Sequence, residues 1–274
     1  MTYPPPYVVE SKDGHSHTVI LLHGRSSTAQ EFANDLFALR SSKQSDLPSH
    51  LPGVRWVFPD AGQLYCTTFR EERSAWCDTF CLEDLSRRQD LQVAGLRNGI
   101  RMVQKLIEEE VERLAGEAGR IILGGFSQGS ATALWSLFTG AAVVDGKLGG
   151  FVGLSAWMPF TREAQAAVGK KGPIKSRFEC LQDTFLEIVG LNAFIGSVSL
   201  YESLEKIPVF LGHGIDDVPV NVSHCHDLSM LFQNLEMLSQ KQLYSGARRD
   251  GHWVKEPEQI DDVIDFLQGV MREG

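Results

Sequence analysis

The sequence predicts an α/β domain in which helices cover both faces of a mostly parallel sheet. Three observations carry this. Short apolar, β-rich runs recur along the chain. Longer segments whose apolar residues fall at helical spacing alternate with them. The chain has 274 residues, which suits one large domain, because single cores stop growing near about 250–300 residues. Residues 1–274 are therefore read as one domain.

The expected strands are Thr18–Leu22, Val54–Phe58, Ile121–Gly124, Gly150–Leu154 and Val209–Gly212. Each is short and almost wholly apolar, as a strand covered on both faces should be. Tyr7–Glu10 adds an edge strand. Helical spacing places a first helix over Thr28–Leu39, with Phe32, Leu36 and Leu39 on one face and Thr28 as its N-cap. The longest, Leu91–Leu114, has a stripe of Leu96, Ile100, Val103, Leu106, Ile107 and Val111. Gly129–Phe138, Val222–Leu238 and Ile260–Met271 complete the set. The span Thr161–Leu204 is too long for a bare connector. It is read as a partly helical insertion, a lid or acyl-site cover.

Composition narrows the partners. The formal net charge is -9 and no basic run exceeds a pair, so nucleic acid is not an expected partner. The first residues lack the charged start and apolar core of a secretory signal, and no stretch of about 18 apolar residues would span a bilayer. Membrane contact is expected to be transient at most. The five cysteines have no small-scaffold spacing, which points to free thiols and a cytoplasmic setting.

The chemistry centres on Gly125-Phe126-Ser127-Gln128-Gly129. An apolar strand precedes this run and small helix-forming residues follow it. Gly-x-Ser-x-Gly at a strand–turn–helix junction is the nucleophile elbow of α/β-hydrolases, with the serine exposed at the tip. The expected fold is therefore the α/β-hydrolase fold, and Ser127 is the candidate nucleophile. Its hydroxyl needs a base and an oxyanion site. The backbone N–H of Gln128, next after the nucleophile, is the first expected oxyanion donor. The strand ending in Leu22-His23-Gly24 puts Arg25 in place for the second. His23 precedes the serine and is expected to support this loop.

The order in this fold is serine, acid, histidine. His252 lies in a turn-rich loop before the last helix, and is the candidate base. His213 ends a strand and is expected to support the acid loop. His224, Cys225 and His226 lack further ligands at zinc spacing, so no metal is expected. Asp216 and Asp217, both in the loop after His213-Gly214, are the candidate acids.

The set Leu22-His23-Gly24, Ala75-Trp76-Cys77-Asp78, Gly124-Gly125-Phe126-Ser127-Gln128-Gly129, Gly153-Leu154-Ser155-Ala156-Trp157-Met158-Pro159, His213-Gly214-x-x-Asp217 and Gly251-His252 resembles the acyl-protein thioesterase and lysophospholipase/carboxylesterase family. The resemblance runs from about Thr18 to Leu267. It implies Ser127 as nucleophile, Asp217 as acid, His252 as base, and Arg25 and Gln128 as oxyanion donors. It also implies hydrolysis of acyl esters or thioesters, from an acylated protein or a small acyl ester, with no cofactor. Trp76, Trp157 and Met158 are the candidate substrate-binding residues, since they flank segments expected at the carboxyl edge of the sheet. Two rival readings remain: an esterase for small secondary-metabolite or xenobiotic esters, and a non-catalytic binding protein on the same fold.

Overall fold

The computed structural model describes residues 3–194 and 198–273. Its strands are β1 (Tyr7–Val9), β2 (His17–Leu22), β3 (Val54–Phe58), β4 (Gln63–Cys66), β5 (Glu71–Ser74), β6 (Ile121–Phe126), β7 (Gly150–Leu154), β8 (Val209–Gly214) and β9 (Ser239–Tyr244). Its helices are α1 (Ala29–Phe37), α2 (Leu47–His50), α3 (Val93–Arg113), α4 (Gln128–Thr139), α5 (Thr161–Val168), α6 (Ile174–Val189), α7 (Leu200–Leu204), α8 (Ser223–Asn234) and α9 (Glu258–Glu273). One sheet has the strand order β1-β3-β2-β6-β7-β8-β9. Only β1 runs antiparallel to its neighbour. β4 and β5 form a separate antiparallel hairpin.

The five strands expected from apolar runs are all present and buried along their length. β6 runs on to Phe126 and β8 to Gly214, so each strand delivers its functional loop directly. β9, the β4–β5 hairpin and the short helix α2 were not expected. α8 stops at Asn234, short of the Leu238 end of the helix anticipated over Val222–Leu238, and β9 follows directly after that span. β9 is an edge strand bearing Gln240, Lys241 and Gln242, and it lacks the apolar signature of a central strand. The β4–β5 hairpin is half exposed and equally polar.

The helices cover the two sheet faces with different partners. α1 and α9 bury Phe32, Leu36, Ile260, Ile264 and Leu267 against Val19, Leu21 and Trp56. Thr28 caps α1 and forms a capping box with Glu31. The opposite face takes α3, α4 and α8. The stripe expected on α3 is the buried stripe observed. α4 is buried at every one of its 12 residues. The sheet lies on one side of it and α6 on the other.

That second covering comes from the span 161–204, of which positions 195–197 lie outside the described residues. α6 buries Phe178, Leu181, Phe185 and Val189. Phe185 stacks on Trp135 of α4 with ring centroids 4.0 Å apart and planes 7° from parallel. The described part of this span is thus an added helical layer with its own core contacts. Phe185→Ala removes a fully buried ring and should lower the unfolding free energy by about 3–5 kcal/mol, measured by denaturant titration. A loss under about 1 kcal/mol would mean that the layer is not part of the core.

Candidate active site

β6 ends at Phe126 and α4 begins at Gln128, so Ser127 alone makes the turn. Its backbone stands at φ 52°, ψ −121°, a sparsely populated conformation for a non-glycine residue. The turn is held in place by close packing. A Cβ on Gly129 would come 2.2 Å from the Leu22 carbonyl oxygen, and one on Gly125 would come 2.6 Å from the Gly129 carbonyl carbon. Both positions therefore require glycine. The Ser127 N–H donates to the Leu154 carbonyl at 2.8 Å, which ties the turn to β7.

The loop after β9 carries His252. Arg249, Asp250 and Gly251 all have positive φ, so the chain winds tightly before the imidazole. His252 Nε2 lies 2.9 Å from Ser127 Oγ, and His252 Nδ1 lies 2.7 Å from Asp217 Oδ2. A carboxylate only accepts, so the proton between them sits on Nδ1 and Nε2 is free to accept from the hydroxyl. The other Asp217 oxygen accepts the Val220 N–H at 2.7 Å. Asp216 turns away: its carboxylate accepts the Gly246 N–H at 2.8 Å. Of the two aspartates left open by the sequence, Asp217 is the one that meets the imidazole.

The Gly24–Arg25 loop flanks the serine. A Cβ on Gly24 would come 3.4 Å from Ser127 Cβ. Among the described residues neither the Arg25 nor the Gln128 N–H has a hydrogen-bond acceptor. Both are donors left free beside Ser127. The first N–H groups of a helix lack intrahelical acceptors, and α4 adds the positive end of its dipole.

A buried network braces this loop. The His23 ring accepts the Ala61 N–H at Nε2, 3.0 Å away, so its Nδ1 carries the hydrogen that it donates to the Gly24 carbonyl at 2.8 Å. Trp76 Nε1 donates to the His23 carbonyl at 2.7 Å. The Gln128 side chain accepts the Trp76 N–H at 2.9 Å and donates to the Cys77 carbonyl at 2.8 Å and the Thr79 hydroxyl at 3.0 Å. The sequence marks Gln128 only through its backbone. Its side-chain role has no local signal, because its partners are about fifty residues away in the chain.

The cleft beside Ser127 has a volume of about 390 Å³. Trp157, Phe69, Leu82, Phe126 and Trp253 supply its apolar lining, and Arg25, Arg73 and Arg249 its cations. Of the three residues expected to bind substrate, only Trp157 lines it. Trp76 is buried behind the Gly24 loop and Met158 in the main core. No described residue of the span 161–204 lines it either, because that span packs on α4 away from the sheet edge. Phe69 and Arg73, from the β4–β5 hairpin and its turn, were not anticipated. His224 meets the Leu82 carbonyl, His226 meets Lys241, and Cys225 is buried. Among the described residues no group of three or more His, Cys, Asp or Glu is placed to hold a metal ion.

The comparisons with known proteins agree on one group. A family model described as phospholipase/carboxylesterase matches residues 4–194. Over 160 residues the chain is 34% identical to an acyl-protein thioesterase 1 of Yarrowia lipolytica, covering 57% of this chain and 64% of that one. The match thus spans just under two thirds of that relative. An acyl-protein thioesterase 1 of Debaryomyces hansenii is 24% identical over 256 residues, covering 93% of this chain and 91% of that one. The crystal structure of Zea mays acyl-protein thioesterase 2 superposes with a TM-score of 0.68 at 23% identity, covering 98% of this chain and all of that one. At that identity the likeness concerns the fold, and it agrees with the expected α/β-hydrolase sheet.

Two expectations follow from the buried polar groups. Burial pushes the pKa of both His23 and His213 below the ordinary 6.5. Below about pH 6.5 the unfolded chain therefore binds protons that the folded chain refuses, and stability falls as pH falls. The urea midpoint should drop between pH 7 and pH 5; a constant midpoint would contradict this. Gln128→Ala should cost roughly 2–4 kcal/mol in the same titration, because it leaves the Trp76 N–H and the Cys77 carbonyl buried without partners.

Proposed function

We infer the function from one premise: this chain belongs to the phospholipase/carboxylesterase family. It is a serine hydrolase of acyl esters or thioesters. The observation that carries this reading is the line of contacts from Ser127 Oγ through the His252 imidazole to the Asp217 carboxylate.

In this reading Ser127 Oγ attacks the acyl carbonyl and gives its proton to His252 Nε2. Asp217 holds the ring in the right tautomer and stabilises the imidazolium that forms. The N–H groups of Gln128 and Arg25 receive the developing oxyanion. One such donor is typically worth about 10²–10³ in kcat. His252 then returns the proton to the departing alcohol or thiol, leaving an acyl-Ser127 ester. Water, deprotonated by His252, adds to that ester, and collapse releases the acid and restores the serine. The protein groups alone complete this cycle, and the reading calls for no cofactor.

The names of the relatives, acyl-protein thioesterase, suggest fatty-acylated cysteine as the substrate. The apolar wall of the cleft suits an acyl chain. The modest cleft volume, about 390 Å³, favours small short-chain esters as a second reading. The setting we assign is the cytoplasm, where five free thiols persist. Any contact with a membrane surface is transient.

A fluorophosphonate probe should label the wild-type chain and fail to label Ser127→Ala. Equal labelling of both, or of neither, would end the hydrolase reading. Asp217→Asn should lower kcat/KM by roughly 10³–10⁴ through the wrong imidazole tautomer. Asp216→Asn should cost less than about tenfold, since its carboxylate only ties down an exposed loop. A series from acetyl to palmitoyl thioesters separates the two substrate readings.

A further inference from the structure

Three arginines line the cleft beside Ser127, and two of them are already paired. Arg73 donates to Glu71, with Nε 2.7 Å from the carboxylate. Arg249 meets Asp35 at 2.5 Å and lies over the Trp253 ring. Arg25 differs. Its Nη1 donates to the Thr79 carbonyl at 3.3 Å, and its guanidinium lies 4.8 Å from the centroid of the Phe69 ring. Among the described residues no carboxylate is within ion-pair reach of it. Asp78 acts on it only from further off, and its two oxygens are taken by the Thr67 N–H and hydroxyl.

Arg25 is half-buried, and burial pulls its pKa below the ordinary guanidinium value. Arg73, sharing the Phe69 ring, repels it further. A desolvated cation without a counter-charge is costly. It keeps unspent N–H donors in a planar fork that fits an oxyanion. Among the described residues one carboxylate residue lines the cleft, Asp250, and it sits on the loop that carries His252. Arg25, Phe69 and Ser127 line the same cleft, and the Arg25 guanidinium lies against that Phe69 wall.

We propose that the Arg25 side chain binds a carboxylate or phosphate oxyanion carried by the substrate next to its scissile acyl bond. Anionic esters are then cleaved in preference to neutral esters of the same shape. This rests on the hydrolase reading above. Arg25 takes two separate parts in it: its backbone N–H serves every substrate, and its guanidinium selects among them.

The test compares matched esters in wild type, Arg25→Met and Arg25→Lys. For an anion on the acyl side, 4-nitrophenyl hemiglutarate is set against 4-nitrophenyl 5-methylhexanoate. For an anion on the leaving group, the butyryl ester of 4-hydroxybenzoate is set against that of 4-isopropylphenol. The readout is the ratio of kcat/KM, anionic over neutral, so any damage to the shared oxyanion site or to folding cancels. Arg25→Met should lower this ratio about tenfold or more in one arm, as expected for loss of a charge-assisted hydrogen bond. Arg25→Lys should recover part of it, and added salt should erode the wild-type ratio. The arm that responds identifies the side on which the anion sits. Ratios that Arg25→Met leaves unchanged in both arms overturn the proposal while leaving the hydrolase reading intact. A wild-type chain that cleaves none of the four esters overturns both.

Discussion

The cleft depends on how closely the turn between β6 and α4 approaches the end of β2. Gly129 lies so near the Leu22 and His23 carbonyls that no side chain fits between them. This contact sets the position of Ser127 relative to the Gly24–Arg25 loop. It also explains why a residue with positive φ is tolerated at the tip. Strain of this kind costs about 1–3 kcal/mol and persists only where the surroundings over-determine it. Here β7 holds the Ser127 N–H, and the packed glycines leave no relaxed alternative.

Two free N–H groups are useful only if their loops do not move. Those loops are held by buried hydrogen bonds as well as by apolar packing. His23, Trp76 and Gln128 link the end of β2, the segment after β5 and the first turn of α4. Each side chain satisfies backbone groups that would otherwise be orphaned in the interior. His23 must stay neutral for this, since its Nε2 accepts the Ala61 N–H, and burial favours that state. Trp76, with the look of an acyl-site aromatic in the sequence, is a brace behind the loop.

The same sheet edge assembles the proposed acid and base from distant parts of the chain. β8 and β9 pair in register through Gly214 and Tyr244, so the loops that follow them lie side by side. Gly251 packs against the Asp216 backbone too tightly for a Cβ. That contact fixes the acid and base loops to each other, and it faces Asp217 inward and Asp216 outward. The shape of the cleft comes partly from the β4–β5 hairpin, whose Phe69 carries Arg25 and Arg73 on its ring. The span 161–204 adds nothing to that shape in its described part; it thickens the helical layer behind α4.

The central strands, α1, the α3 stripe and the serine turn were legible in the sequence by themselves. Each is written in a local pattern: an apolar run, a helical period, a cap, or glycines bracketing a serine. β9 and the hairpin were not, since half-exposed polar strands take their identity from the neighbour they pair with. The same division runs through the site. Ser127 and His252 stand in local contexts that single them out. Asp217 was preferred to Asp216 only through the family pattern, whereas the demotion of Trp76 and Met158 from the cleft, and the lack of an ion-pair partner for Arg25 among the described residues, were decided by tertiary contacts alone. Which way a loop side chain turns, and whether a charge finds a partner, depends on segments tens to hundreds of residues away, and no local pattern records them.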